Sequence, residues 1–171
     1  MNREQNFLLT RRSTRKYSDK EIEKKKIEVI LKAGMYAPSA HNTQPWHFIV
    51  IRNKNLMCEI SKVHRYAGMT KNASAVILVC ADTARQDDPG YFSQDCSAAT
   101  ENILLSAHIE GIGACWIGIY PVKERMEKIS ALLKLKKNLA PFSLIALGYP
   151  GETIAGKDPE RYDKKKIEFV D

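Results

Sequence analysis

The chain has 171 residues, 44% of them hydrophobic and 27% charged, and its 27 Lys+Arg against 20 Asp+Glu leave a net charge of +7. That length suits one domain, 1–171, burying roughly two-thirds of the surface its unfolded form exposes, and the composition is that of an ordinary globular protein. The best apolar run, SAVILVCA, falls short of the roughly 18 residues that a membrane span needs, and the polar start MNREQNFLLT lacks the apolar core of a signal peptide, so no membrane partner and a cytoplasmic location are expected.

In chain order, residues 3–11 read as a short helix. A second helix is expected over 19–36, with Ile27, Ile30, Leu31, Gly34 and Met35 on one face. Ser18 and Glu21 give it a capping-box start, and it closes before Pro38. The loop PSAHNTQP leads into a strand at WHFIVIR; 54–63 reads as helix and 74–81 as a buried strand. The longest helical stretch, 91–110, is apolar or small around most of its circumference, which calls for cover on more than one side, part of it from a second subunit. Gly111 stops that helix. A strand at ACWIGIY, a helix over 122–134, a strand at PFSLIALGY and a charged tail ending in IEFV complete the order. Two architectures fit, a doubly wound α/β fold and an α+β sandwich.

Cys58, Cys80, Cys96 and Cys115 form no CxxC pair and read as reduced core thiols; no HExxH occurs, and no metal site is expected. The lysine runs at 24–26, 134–138 and 164–166 lack interleaved aromatics, so nucleic acid is not an expected partner. GIGACW has two glycines of a dinucleotide fingerprint but follows a helix, precedes a strand and carries Trp116 in place of the third glycine. Neither GxSxG nor a Walker sequence is present, and no paired carboxylates stand out. The segment Arg11–Lys16 does stand out. It packs four cations around Ser13 and Thr14, between the apolar Phe7-Leu8-Leu9 and a helix start, a composition for binding an anion and positioning a cofactor that carries the chemistry itself.

RRSTRKYSD, APSAHNTQPWHFIVIRN, the buried helix running into GIGACWIGIYP, then ALGYPGE and ERYDKKKIEFV occur in the order and at the spacing of one family. Together they resemble the flavin-dependent nitroreductases. The resemblance implies an α+β fold: a three-layer sandwich with a central mixed or antiparallel sheet flanked by helices, in a homodimer with C-terminal tail exchange and one FMN in each of two interface sites. By the same resemblance Arg11 pairs with the FMN phosphate, Ser13 bonds the phosphate or ribityl chain, and Arg12 contributes through its backbone. Arg15 faces the N1/O2 edge of the ring, where a cation stabilises the reduced anion. Pro38, Ser39 and Asn42 reach the flavin from the other subunit, with Gln44 supporting the loop and His41 a weak candidate for substrate contact.

In Trp116, Ile117, Gly118 and Ile119, backbone amides near Gly118 and Ile119 point at N5 and O4, and Arg161 completes the phosphate site. Lys71 and Asn72 are loose candidates for the pyrimidine contact. The implied activity is NAD(P)H oxidation with ping-pong hydride transfer through flavin N5 to a nitroaromatic, quinone or similar small acceptor. Alternatives are a flavin-binding or flavin-sensing module without turnover, or dehalogenation or flavin fragmentation on the same fold. The chain is short for the family and leaves no room between the 74–81 strand and the next helix for an extra helical pair over the pocket.

Overall fold

A computed structural model describes residues 3–152 and 160–170. At its centre is a four-stranded sheet of β1 (Trp46–Ile51), β2 (Ala75–Asp82), β3 (Gly113–Gly118) and β4 (Leu139–Gly148), in the spatial order β1-β2-β4-β3. Each neighbouring pair is antiparallel. That selects the α+β sandwich over a doubly wound arrangement, whose strands would run parallel.

The two central strands read as near-continuous apolar runs because both of their faces are covered. Ala75, Ile77, Val79 and Ala81, with Ile145 and Leu147, pack under α2 (Lys24–Met35) and α4 (Pro89–Ile109). Val76, Leu78 and Cys80, with Leu144 and Ala146, pack under α3 (Lys54–Ile60) and α5 (Lys123–Leu133). The period-two alternation of a strand thus sorts one run of residues into two cores, giving three layers.

α4 begins at an Asp88 cap whose carboxylate accepts from Gly90 N (2.7 Å), with Pro89 at its first position, and it ends before Gly111, which takes φ +70°. Its expected all-round burial is met in part by the same chain. α1 (Arg3–Thr10) lies beside it with Phe7 edge-on to His108 at 6.2 Å, while Tyr91 and Ile109 remain exposed.

The capping-box reading of Ser18 and Glu21 fails. α2 starts at Lys24 with Glu23 as its cap residue, and no side chain caps it. Residues 17–22 are used elsewhere: Ser18 N donates to Tyr149 O (2.9 Å), Ile22 N to Ser74 Oγ (2.8 Å), and Glu21 pairs with Arg52 at 2.7 Å. Burying Ile22 completely against the core, roughly 1.5–3 kcal/mol, outweighs the roughly 1 kcal/mol of a side-chain cap.

Only six residues, 83–88, separate β2 from α4, so no helical pair stands there. At the C-terminus, 160–170 lies exposed, with Phe169 87% and Val170 95% accessible and a short 3-10 turn at Lys164–Lys166.

Candidate functional site

The cation-rich segment is clamped along the free edge of β3. Thr14 N donates to Ala114 O (2.9 Å), Ser13 and Ala114 form a parallel bridge, and Tyr17 pairs antiparallel with Pro150. The approach is so close that a Cβ on Gly113 would stand 2.6 Å from Thr14 Cγ2, and one on Gly148 would stand 2.6 Å from Tyr17 Cδ1. The Tyr17 hydroxyl lies 2.7 Å from Thr14 O and 3.2 Å from Ala146 O, and burial pushes its phenol pKa far up, so it remains a hydrogen-bond donor. The residues of the motif are therefore registered against the sheet rather than carried on a loose arm.

Their side chains divide. Arg12 turns back to close α1, donating to Leu9 O (2.6 Å) and Arg11 O (2.9 Å), so its guanidinium is engaged within its own turn. Arg11 is half-buried and lies 3.5 Å from Glu101 of α4. Ser13 bonds towards the Cys115 thiol, whose pKa burial raises while Arg15 opposes the rise. Arg15 alone of the four cations enters a cleft of about 620 Å³, within the roughly 300–1,000 Å³ of small-molecule sites.

β3 supplies Cys115, Trp116, Ile117 and Gly118 to that cleft. Trp116 serves core and cleft together, packing on Phe142 with ring centroids 6.1 Å apart. Ile117 is 2% exposed, so it meets the cleft chiefly along its backbone. A Cβ added to Gly118 would meet nothing within 4 Å, which leaves open space at the strand end. Ile119 does not line the cleft: its side chain is fully buried and its N–H donates to Phe142 O at 3.2 Å.

The remaining lining residues come from the connection between α3 and β2 and from the first turn of α5: His64, Arg65, Tyr66, Gly68, Met69, Asn72 and Arg125. Of the two loose pyrimidine candidates, Asn72 lines the cleft and Lys71 does not. Sequence reasoning missed the HRY trio at 64–66 and Arg125. The signals were present as an aromatic preceded by two basic residues in a turn, and as an arginine seven residues beyond Gly118.

The loop carrying Pro38, Ser39, His41, Asn42 and Gln44 does not reach this cleft in its own chain. It is nonetheless rigidly made. Ala40 N donates to the buried Asp95 Oδ1 (2.9 Å), Gln44 N to Ser39 Oγ (3.0 Å), and Arg85 Nε to Thr43 O (2.9 Å). His41 stands edge-on to Tyr91 at 5.9 Å. His41, Asn42 and Gln44 hold φ of 52°, 55° and 48°, left-handed values that persist only where neighbours enforce them. Arg161 stands on the exposed tail, outside the cleft. Among the described residues no group of three or more His, Cys, Asp or Glu is placed to hold a metal, and no helix is long and apolar enough to cross a membrane.

These features define an α+β domain with a basic, aromatic cleft at its sheet edge, suited to a planar anion. The chain belongs to the nitroreductase family, whose model matches residues 8–67 and 59–149, and so to the oxidoreductases. It is 46% identical over 160 residues to a candidate NADH dehydrogenase/NAD(P)H nitroreductase of Methanothermobacter thermautotrophicus, covering 92% of this chain and 84% of that one. A protein of the same description from Parabacteroides distasonis superposes with a TM-score of 0.92 at 33% identity over 99% and 98% of the two chains. A candidate nitroreductase of Desulfovibrio desulfuricans, solved in complex with FMN, gives 0.86 at 29% identity over 100% and 98%.

Proposed function

We propose that the protein is an FMN-dependent NAD(P)H oxidoreductase that passes reducing equivalents to a nitroaromatic, quinone or similar small acceptor. The observation that carries this reading is the cleft itself, where Arg15, Trp116 and the open strand end at Gly118 stand together. They fit FMN: a cation for the electron-rich edge of the ring, an aromatic wall, and main chain without a side chain in the way. When bound, FMN supplies the redox chemistry, taking electrons from NAD(P)H and giving them to the acceptor.

The chain's own residues bind and orient. Arg15 holds positive charge at the ring, Ser13 and Asn72 offer polar contacts near it, and Arg11 is the phosphate partner after exchanging its 3.5 Å pairing with Glu101. Two features support a homodimer with its flavins at the interface. The pre-shaped 38–44 loop exposes Pro38, His41, Asn42 and Gln44 without covering a site of its own chain. The tail exposes Tyr162, Phe169 and Val170, apolar area that a partner would cover, with Arg161 brought to the partner's phosphate.

The test is a visible spectrum of the purified protein, repeated anaerobically after adding NADH or NADPH. A bound-flavin spectrum that bleaches promptly is expected. A flavin that stays oxidised in the presence of both nucleotides would favour a binding or sensing module, and a colourless protein that FMN does not reconstitute would overturn the cofactor assignment.

Gly118→Val separates seat from scaffold. Its side chain enters space where nothing lies within 4 Å, so Tm should stay near that of the parent, while FMN affinity falls about tenfold or more through overlap with the ring. A variant that titrates with FMN like the parent would remove Gly118 from the seat.

A further inference from the structure

Eight cations among the described residues have carboxylate partners, among them Arg11 with Glu101, Arg52 with Glu21, Lys26 with Glu110 and Lys128 with Glu124. The cleft gathers cations without acidic residues among them. Its lining includes Arg15, Arg65 and Arg125 and no Asp or Glu, and among the described residues none of these three arginines forms an ion pair. Three unpaired guanidinium groups around one concave surface focus positive potential there and favour an anionic occupant. On the reading above FMN engages Arg15, and its phosphate engages Arg11. Arg65 and Arg125 are left over.

Both are held in place. The Arg65 guanidinium lies over the Tyr66 ring at 4.5 Å, and Tyr66 is 59% exposed. Stacking on an aromatic face leaves the edge of the guanidinium fork available for a carboxylate. Arg125 Nη1 donates to Gly118 O (3.1 Å), which fixes the guanidinium against the strand end that floors the cleft and leaves its other N–H groups for an outside acceptor. His64 does not compensate this charge. Its Nδ1 accepts from Tyr66 N (3.1 Å), and burial, then Arg125, holds its pKa below the ordinary value.

We propose that Arg65, Tyr66 and Arg125 form an acceptor subsite that selects planar aromatic anions, nitroaromatics or quinones bearing a carboxylate or sulfonate, over their neutral analogues. The proposal rests on the oxidoreductase reading. It favours the acceptor over the phosphates of NAD(P)H as the anion, because Arg125 is tied to Gly118 itself and so receives charge beside the reacting ring, whereas dinucleotide phosphates lie a ribose further from the nicotinamide.

The experiment uses the FMN-loaded protein and compares kcat/KM for 4-nitrobenzoate with that for neutral 4-nitrobenzamide, at low and high salt, in the parent, Arg65→Gln, Arg125→Gln and Arg125→Lys. In parallel, the Kd of 4-nitrobenzoate is read from its perturbation of the oxidised flavin spectrum. The parent should prefer the anion about tenfold, and the preference should shrink with salt. Each Gln variant should lose about three- to tenfold of it and weaken 4-nitrobenzoate binding in step, with flavin still bound and Arg125→Lys recovering part. A parent ratio near one, or a ratio that the variants leave unchanged, overturns the proposal. So do variants that release FMN, which would make these arginines cofactor ligands, and variants that raise only the KM for NAD(P)H. If the parent flavin does not bleach with NAD(P)H, it is the oxidoreductase reading that fails, and the binding titration still decides the subsite.

Discussion

Gly113→Ala is expected to lose stability and flavin together. The new Cβ would stand 2.6–2.7 Å from Thr14 Cγ2, Cβ and Oγ1. Because Thr14 Cβ is itself among the three, no rotamer clears the space, and the segment 13–15 has to move off β3. Thr14 is 4% exposed and its N–H is bonded to Ala114 O, so that movement breaks packed structure. Overpacking of this kind costs roughly 1–3 kcal/mol, a fall of about 2–12 °C in Tm for a domain of this size. The functional effect is larger than the stability loss implies, because displaced Thr14 carries Ser13 and Arg15 out of register with the cleft. FMN affinity should fall at least about tenfold. The checks are a thermal melt and a flavin titration, with Thr14→Gly added as a second change. Removing the Thr14 side chain relieves the overlap and should recover much of the flavin binding. A Gly113→Ala protein with parental Tm and parental flavin content would show that the close approach does not position the motif.

The same contact explains why some of the site was legible in the sequence and some was not. RRSTR, PSAHNTQPW and GACWIG declare themselves because their chemistry is local: cations beside hydroxyls, a small polar loop before a strand, glycine and aromatic residues at a strand end. The three-layer core was equally readable, since runs such as AVILVCA state that both faces of β2 are covered. What escaped depended on distant partners. Ser18 and Glu21 satisfy a helix-start rule, but the backbone of Tyr149 and the side chain of Arg52 claim them first. Gly113 stood out only as part of a dinucleotide fingerprint that fails, and only Thr14, lying across it, shows why a side chain is excluded. The HRY trio and Arg125 lie in separate segments of the chain and become one wall only when the α3–β2 connection folds against the start of α5. Whether a residue's job is local or set by tertiary contact decides whether a sequence can announce it.

Asp95 is the clearest case of a tertiary role, and Asp95→Ala should have the second large effect. This carboxylate sits on α4 only 5% exposed, accepts from Ala40 N at 2.9 Å through Oδ1, and keeps Oδ2 buried without a protein partner. Burying a carboxylate is costly, and one backbone hydrogen bond is small compensation. The placement makes sense if the loop it holds must stay in a shape it would not otherwise keep. His41, Asn42 and Gln44 are all left-handed, and the Ala40 amide is the tie nearest the start of that turn. In the proposed dimer this loop brings Ser39 and Asn42 to the partner's flavin, so Asp95 acts as a positioning residue without touching the cofactor. Asp95→Ala removes the tie and also relieves the buried charge, so the stability change should be small, within about 1 kcal/mol either way. FMN affinity should nevertheless weaken about ten- to a hundredfold, since the loop no longer waits in its binding shape. Asp95→Asn retains an oxygen facing Ala40 N and should bind flavin nearly as the parent does. A flavin titration beside a melt reads the two effects separately. If Asp95→Ala lowers Tm by many degrees while its Kd for FMN stays parental, Asp95 is a core strut and the 38–44 loop has no part in holding flavin.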